Sequence, residues 1–291
     1  PAGYTARGQA LIVIGDTLFG LFTFVNSTWT AWEDSLLVRF TVTGGSSITV
    51  GATDYNDGLA PNGFAMDVYG SDLYIAAIGG VQGSSGTPNA NSCIQKIAYG
   101  AATLNTATVS TLLTPSGDHN YEFRDISFNG STAYVLMGTY HTDGSGDWVI
   151  NGKLVSTDTT FATLTPIDTF TNVKAYFWAA QYTADNTRLW YVKGNQIIVY
   201  TAGSFGTPVA TLTLSSGSLL SANEPHPYDN INDFAYVGKY GIFKAMRGYR
   251  SPLQASRSKR AVALRAITRG RPEATEDEIA QADAMVASGK V

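Results

Sequence analysis

The sequence predicts an all-β fold, on three observations. The charged residues make up only 14% of the 291, against a usual quarter, and Gly, Ser, Thr and aromatic residues take their place. Such a composition suits many short strands and turns. One hairpin pattern recurs five times: a strand-like run, a tight turn, a large apolar residue, an aromatic and more strand. Its aromatics are Phe19, Tyr74, Tyr134, Trp190 and Phe243, spaced 55, 60, 56 and 53 residues apart. A repeat of that length marks a supersecondary unit stacked on its neighbours.

The elements follow in order. The five hairpins read "ALIVIGDTLFGLF", "GFAMDVYGSDLYIAAIGG", "FRDISFNGSTAYVLMG", "FWAAQYTADNTRLWYVKG" and "INDFAYVGKYGIFKAM". Their turns carry Gly15, Gly70, Gly130, Asn186 and Gly238, residues suited to positive φ or to tight turns. After each of the first four come two further strand candidates: "SLLVRFTVTG" with "SITVGATDY", "CIQKIAYG" with "ATVSTLLT", "WVINGKLVST" with "ATLTPIDTF", and "NQIIVYTAG" with "PVATLTLSS". That makes four strands per repeat.

Four-stranded units at this period resemble the blades of the β-propeller superfold. The resemblance covers nearly the whole chain but points to no particular family, since WD, Kelch, NHL and YWTD signatures are missing. The expected fold is a five-bladed β-propeller over 8–270, with blades starting near 8, 63, 121, 174 and 231. An N-terminal arm (1–7) precedes it and a short C-terminal helical tail (271–291) follows. A pair of β-sandwiches or a solenoid is the second choice. The fifth blade is incomplete, with "AVALRAI" as its one further strand candidate. Its open edge is closed either by the N-terminal "PAGYTARGQ" or by a strand from another molecule.

Charge is segregated. Residues 1–238 hold eighteen acids and eight bases, 239–272 hold ten bases and no acid, and 273–291 hold five acids and Lys290. The basic block has few interleaved aromatics, which argues against a nucleic-acid platform. It suits an acidic surface, and the blades themselves are acidic. Head-to-tail contact between such patches builds filaments unless it closes. The expected self-assembly residues are therefore Arg257, Lys259, Arg260, Arg265, Arg269 and Arg271. The tail adds Ile279, Ala282 and Val286, the apolar stripe of a helix capped at Thr275 and Glu278.

Chemistry-bearing residues are few. Asp67, Asp125 and Asp233 lie in or beside the first strands of blades, where acids converge in five-bladed glycoside hydrolases; each is equally a turn or strand-end residue bonded to backbone. Glu122, in "DHNYEFRD" beside His119, is the expected acid if catalysis exists, with Asp67 or Asp125 as base. "HTDGSGDWV" places Asp143, Ser145 and Asp147 at alternate positions, but without the Gly and Glu of a calcium loop, and reads as a turn. The three His are scattered, and no metal, cofactor or phosphate motif is present. Cys93 is the single cysteine and reads as a core residue. The triplets at Asn26 and Asn129 match the glycosylation sequon, a pattern common by chance. No apolar run is long enough for a membrane-spanning helix. A cleaved leader before Pro1 is the favoured reading of the missing Met.

These features lead to an expected non-enzymatic structural subunit of an extracellular or cell-surface filament, with copies of itself as partner and no cofactor. The alternatives are a glycan-active propeller, hydrolase or lectin, and a virion tail or fibre component.

Overall fold

The computed structural model describes residues 2–43, 47–81, 85–173, 180–182, 187–193, 196–213, 233–236 and 242–245. The chain divides into two units, Pro1–Met246 and Arg247–Val291, and all described residues belong to the first.

Tight hairpins open the first three sheets. β1 (Tyr4–Ile14) turns into β2 (Thr17–Asn26) at Gly15, β5 (Gly63–Tyr69) into β6 (Asp72–Ala77) at Gly70, and β9 (Phe123–Asn129) into β10 (Thr132–Thr142) at Gly130. The three glycines have φ of 58°, 60° and 57°, the left-handed backbone that matches a two-residue turn to strand twist. Each hairpin is extended by two more antiparallel strands: β3 (Trp32–Thr43) and β4 (Ser47–Leu59), β7 (Cys93–Ala98) and β8 (Val109–Leu113), and β11 (Trp148–Asp158) and β12 (Thr165–Val173). A fourth sheet holds β13 (Ala180–Tyr182), β14 (Arg188–Lys193), β15 (Gln196–Thr201) and β16 (Ala210–Thr213), and a two-stranded one holds β17 (Asp233–Tyr236) and β18 (Ile242–Ala245).

The sheets are joined first strand to first strand: β1 lies against β5, β5 against β9, β9 against β13 and β13 against β17. Four-stranded meanders in series, with their first strands on one side, give a β-propeller-like build. β1 takes in Tyr4–Arg7, assigned above to an arm, because Tyr4↔Asn26 through Gly8↔Phe22 continue the ladder. The residues expected to form a third strand of the last repeat and a C-terminal helix lie outside the described residues.

Alternation along each strand explains the packing. Leu73 and Ile75 of β6 face the first sheet, with Phe19, Leu21 and Leu37, while Tyr74 and Ala76 face the third, with Ile126 and Val135. On β10, Val135 and Met137 face the second sheet and Tyr134 and Leu136 the fourth, with Leu189 and Tyr191. A central strand buried on both faces has no polar side. The repeating aromatics Phe19, Tyr74 and Tyr134 are 1–4% exposed and belong to this core.

Polar groups fasten the junctions. Ser35 Oγ accepts the N–H of Gly63 at 2.8 Å. In the next junction Ser92 Oγ accepts that of Phe123 at 2.9 Å and donates to Ala77 O at 2.8 Å. Asp168 of β12 receives the Tyr191 hydroxyl and, at 2.9 Å, the Lys193 ammonium of β14. Burial pushes the Tyr191 phenol up, and the Asp168 carboxylate adds to that.

Candidate functional site

Asp67, Asp125 and Glu122, singled out in the sequence, each hold partners within the fold. Asp67 Oδ1 accepts the N–H of Val68 at 2.8 Å, and Oδ2 accepts that of Phe128 on β9 at 2.7 Å. Burial raises its pKa, against the pull of those two N–H groups. Asp125 Oδ1 accepts the N–H of Ile126 at 2.9 Å. The two aspartates do not share a level. Asp67 lies opposite Tyr74, but the residue opposite the matching Tyr134 is Ser127. Asp125 is two residues further from the turn, about 7 Å along the strand. Asp233 begins β17, and its side chain lies outside what is described.

Glu122 is fully buried and paired with Arg124, also fully buried. Its second oxygen accepts the N–H of Asn89 at 3.3 Å. Arg124 donates to Gly138 O at 3.2 Å and lies 5.0 Å from the Tyr140 ring. Burial raises the Glu122 carboxyl, and the guanidinium opposes that. The position is a repeated structural one. Gly138 N–H bonds Glu122 O at 2.8 Å, as Ile78 N–H bonds Asn62 O at 3.0 Å in the preceding sheet. Arg124 is the extra residue of a β-bulge, and Gln9 and Phe64 occupy the same bulge in the first two sheets. Bulges re-aim side chains at sheet ends, and here one turns a charge into the junction.

The Asp143 loop is a turn, with Asp143 Oδ1 accepting the N–H of Ser145 and Asp147 at 2.9 Å each. Among the described residues no cluster of His, Cys, Asp or Glu fits a metal. No described helix is long and apolar enough to cross a membrane. Cys93 is buried, and burial pushes its thiol up to about 12. The residues expected to drive self-assembly, from Arg257 to Val286, lie outside the described residues.

A hollow beside β11, missed in the sequence, collects polar groups instead. It has a volume of about 420 Å³ and is lined by Asp118, Asn120, Tyr121, Thr139, Asn151 and Lys153, with Gly86 and Gly117 at its margin. The loop between β8 and β9 forms one wall, shaped by His119 N–H to Ser116 O and Tyr121 N–H to His119 O, both at 2.9 Å. The opposite wall is β10 and β11, where Thr139 and Asn151 are paired across strands. Lys153 spans the two, donating to Asp118 O at 2.7 Å with its ammonium 5.9 Å from the Tyr121 ring. Asn151 Oδ1 accepts the N–H of Asn172 at 2.8 Å, which fixes the amide. His119 Nδ1 is buried without a hydrogen-bond partner. Burial lowers its pKa, nearby Lys153 adds to that, and Asp118 opposes both.

No protein-family model matches the chain, and no curated protein does. Among solved structures it is similar to a protein of unknown function from Dyadobacter fermentans (12% identity, TM-score 0.45, covering 72% of this chain and 65% of that one). It is similar also to an α-L-arabinanase of Penicillium chrysogenum complexed with arabinobiose (10%, 0.44, 70% and 63%). A third is a Trypanosoma rangeli sialidase in complex with the inhibitor DANA (14%, 0.40, 71% and 38%). The chain thus spans less than two thirds of the length of each of these proteins.

Proposed function

We propose that this chain is a glycan-binding protein that takes a sugar in the hollow beside Tyr121 and does not turn it over. One observation carries the reading: an aromatic ring, two amides, a hydroxyl and an ammonium line one hollow, from the β8–β9 loop and from strands β10 and β11. Its volume of about 420 Å³ lies within the roughly 300–1,000 Å³ of small-ligand sites. Asn carries both donors and acceptors, Thr a rotatable hydroxyl, and Tyr an apolar face with a polar tip. That mixture matches a sugar, whose hydroxyls ring a C–H surface.

Binding without hydrolysis is favoured by the state of the acids. Glycoside hydrolysis needs two carboxylates flanking the bond, and Asp67 and Glu122 already spend their oxygens on partners within the fold. An extracellular setting is part of the same proposal. A glycan array probed with the wild-type protein and with Tyr121→Ala tests it. The expected result is a defined set of bound glycans, reduced in the variant. No binding by the wild-type protein, or the same set in both, contradicts it.

A further inference from the structure

The loop between β2 and β3 holds its most exposed aromatic in an unfavourable backbone. Trp29 has φ +60° and is 50% exposed. Positive φ is an outlier for a bulky side chain and costs energy. The surrounding loop enforces it. Asn26 N–H bonds Ala31 O, and Trp29 N–H bonds Asn26 O, both at 3.1 Å. Asn26 Oδ1 accepts the N–H of Thr30 at 2.8 Å and of Ala31 at 3.2 Å, while its Nδ2 donates to Thr30 Oγ1 at 3.0 Å. The sequon asparagine thus uses both its amide oxygen and its amide nitrogen in shaping this turn.

The ring is fixed as well as the backbone. The Arg7 guanidinium from β1 lies 3.8 Å from the Trp29 ring centroid, and Trp32 meets it nearly edge-on, with centroids 6.2 Å apart and planes at 75°. Arg7 covers one face, yet half of the residue stays open. Beside it in the loop, the hydroxyls of Thr28 and Thr30 are hydrogen-bonded to each other at 2.8 Å. A half-exposed aromatic ring, held in place by its loop and by Arg7 at an entropic advantage, fits a pyranose ring with equatorial hydroxyls.

We infer that Trp29 is the stacking platform of a second carbohydrate site, remote in sequence from the hollow beside Tyr121. The ligand class rests on the function proposed above; the site itself does not. The probe is cellohexaose, titrated into the wild-type protein, Trp29→Gly and Tyr121→Ala, with tryptophan emission and calorimetry as readouts. Glycine adopts φ +60° freely, so Trp29→Gly is expected to melt close to the wild type while its cellohexaose affinity drops at least about tenfold. Trp29→Phe, which keeps a smaller ring, is expected to fall between. Tyr121→Ala is expected to keep the emission change. No response from the wild-type protein, or an unaltered response in Trp29→Gly, overturns the inference. So does a Trp29→Gly that binds sugar normally but changes mass by light scattering, which makes the ring a contact between chains. If Tyr121→Ala alone leaves all glycan binding intact, the reading of the hollow fails and this site stands.

Discussion

Asp67 of β5 accepts the main-chain N–H of Phe128 on β9 at 2.7 Å. This carboxylate, at a position that suggested a catalytic base, instead satisfies the edge of the next sheet. Removing it with Asp67→Ala leaves the N–H groups of Val68 and Phe128 without their acceptor. The expected cost is about 1–3 kcal/mol, read from urea unfolding, with glycan binding unchanged. A variant as stable as the wild type would show that the bond contributes nothing.

Glu122→Gln takes the carboxylate away from a buried guanidinium. Breaking one partner of a buried pair costs about 3–5 kcal/mol, and Arg124 is fully buried. Unfolding midpoints in guanidinium chloride provide the check. Replacing both residues, Glu122→Gln with Arg124→Met, is expected to recover much of the loss, since the buried charge is then gone.

The pH dependence of stability carries a signature of His119. Its folded pKa lies below the ordinary 6.5. As pH falls through that value, the unfolded chain takes up a proton that the folded protein resists. Stability is therefore expected to decline from pH 7 downward until the lowered folded value is passed, and to be unaffected by this group above 7. The slope is small, because the ring is partly exposed, and His119→Gln is expected to flatten it.

Cys93 is expected to be inert. It is 4% exposed, and its thiol is pushed up to about 12, so little thiolate exists at pH 8. A chromogenic disulfide reagent is expected to titrate no thiol in the native protein and one per chain in guanidinium chloride. Rapid reaction of the native protein would contradict the core assignment.

Much of the fold was legible because turn chemistry and alternation are local. Gly15, Gly70 and Gly130 mark the turns on which the first three sheets open, and the strands that follow each hairpin fall where the sequence places them. The first strand begins earlier than expected because Tyr4–Arg7 has no turn signal against β2. The site was less legible. "DHNYEFRD" reads as the place of a catalytic acid, yet a β-bulge at Arg124 turns its guanidinium inward to Glu122, and bulges leave no mark in a pattern of apolar residues. The match between Asn62 and Glu122 was available from the repeat, and it points to structure. The hollow joins Tyr121 to Asn151 and Lys153, some thirty residues on and on another strand. Such convergence depends on ladder register, which composition and spacing do not express.

The most direct test is calorimetry of the wild-type protein, Tyr121→Ala and Asp67→Ala against the glycans found on the array, with the recovered sugars analysed for cleavage. The expected result is saturable binding of intact glycan by the wild-type protein and by Asp67→Ala, and weaker binding by Tyr121→Ala. Cleavage by the wild-type protein that disappears in Asp67→Ala, or binding unaffected by Tyr121→Ala, would contradict the account.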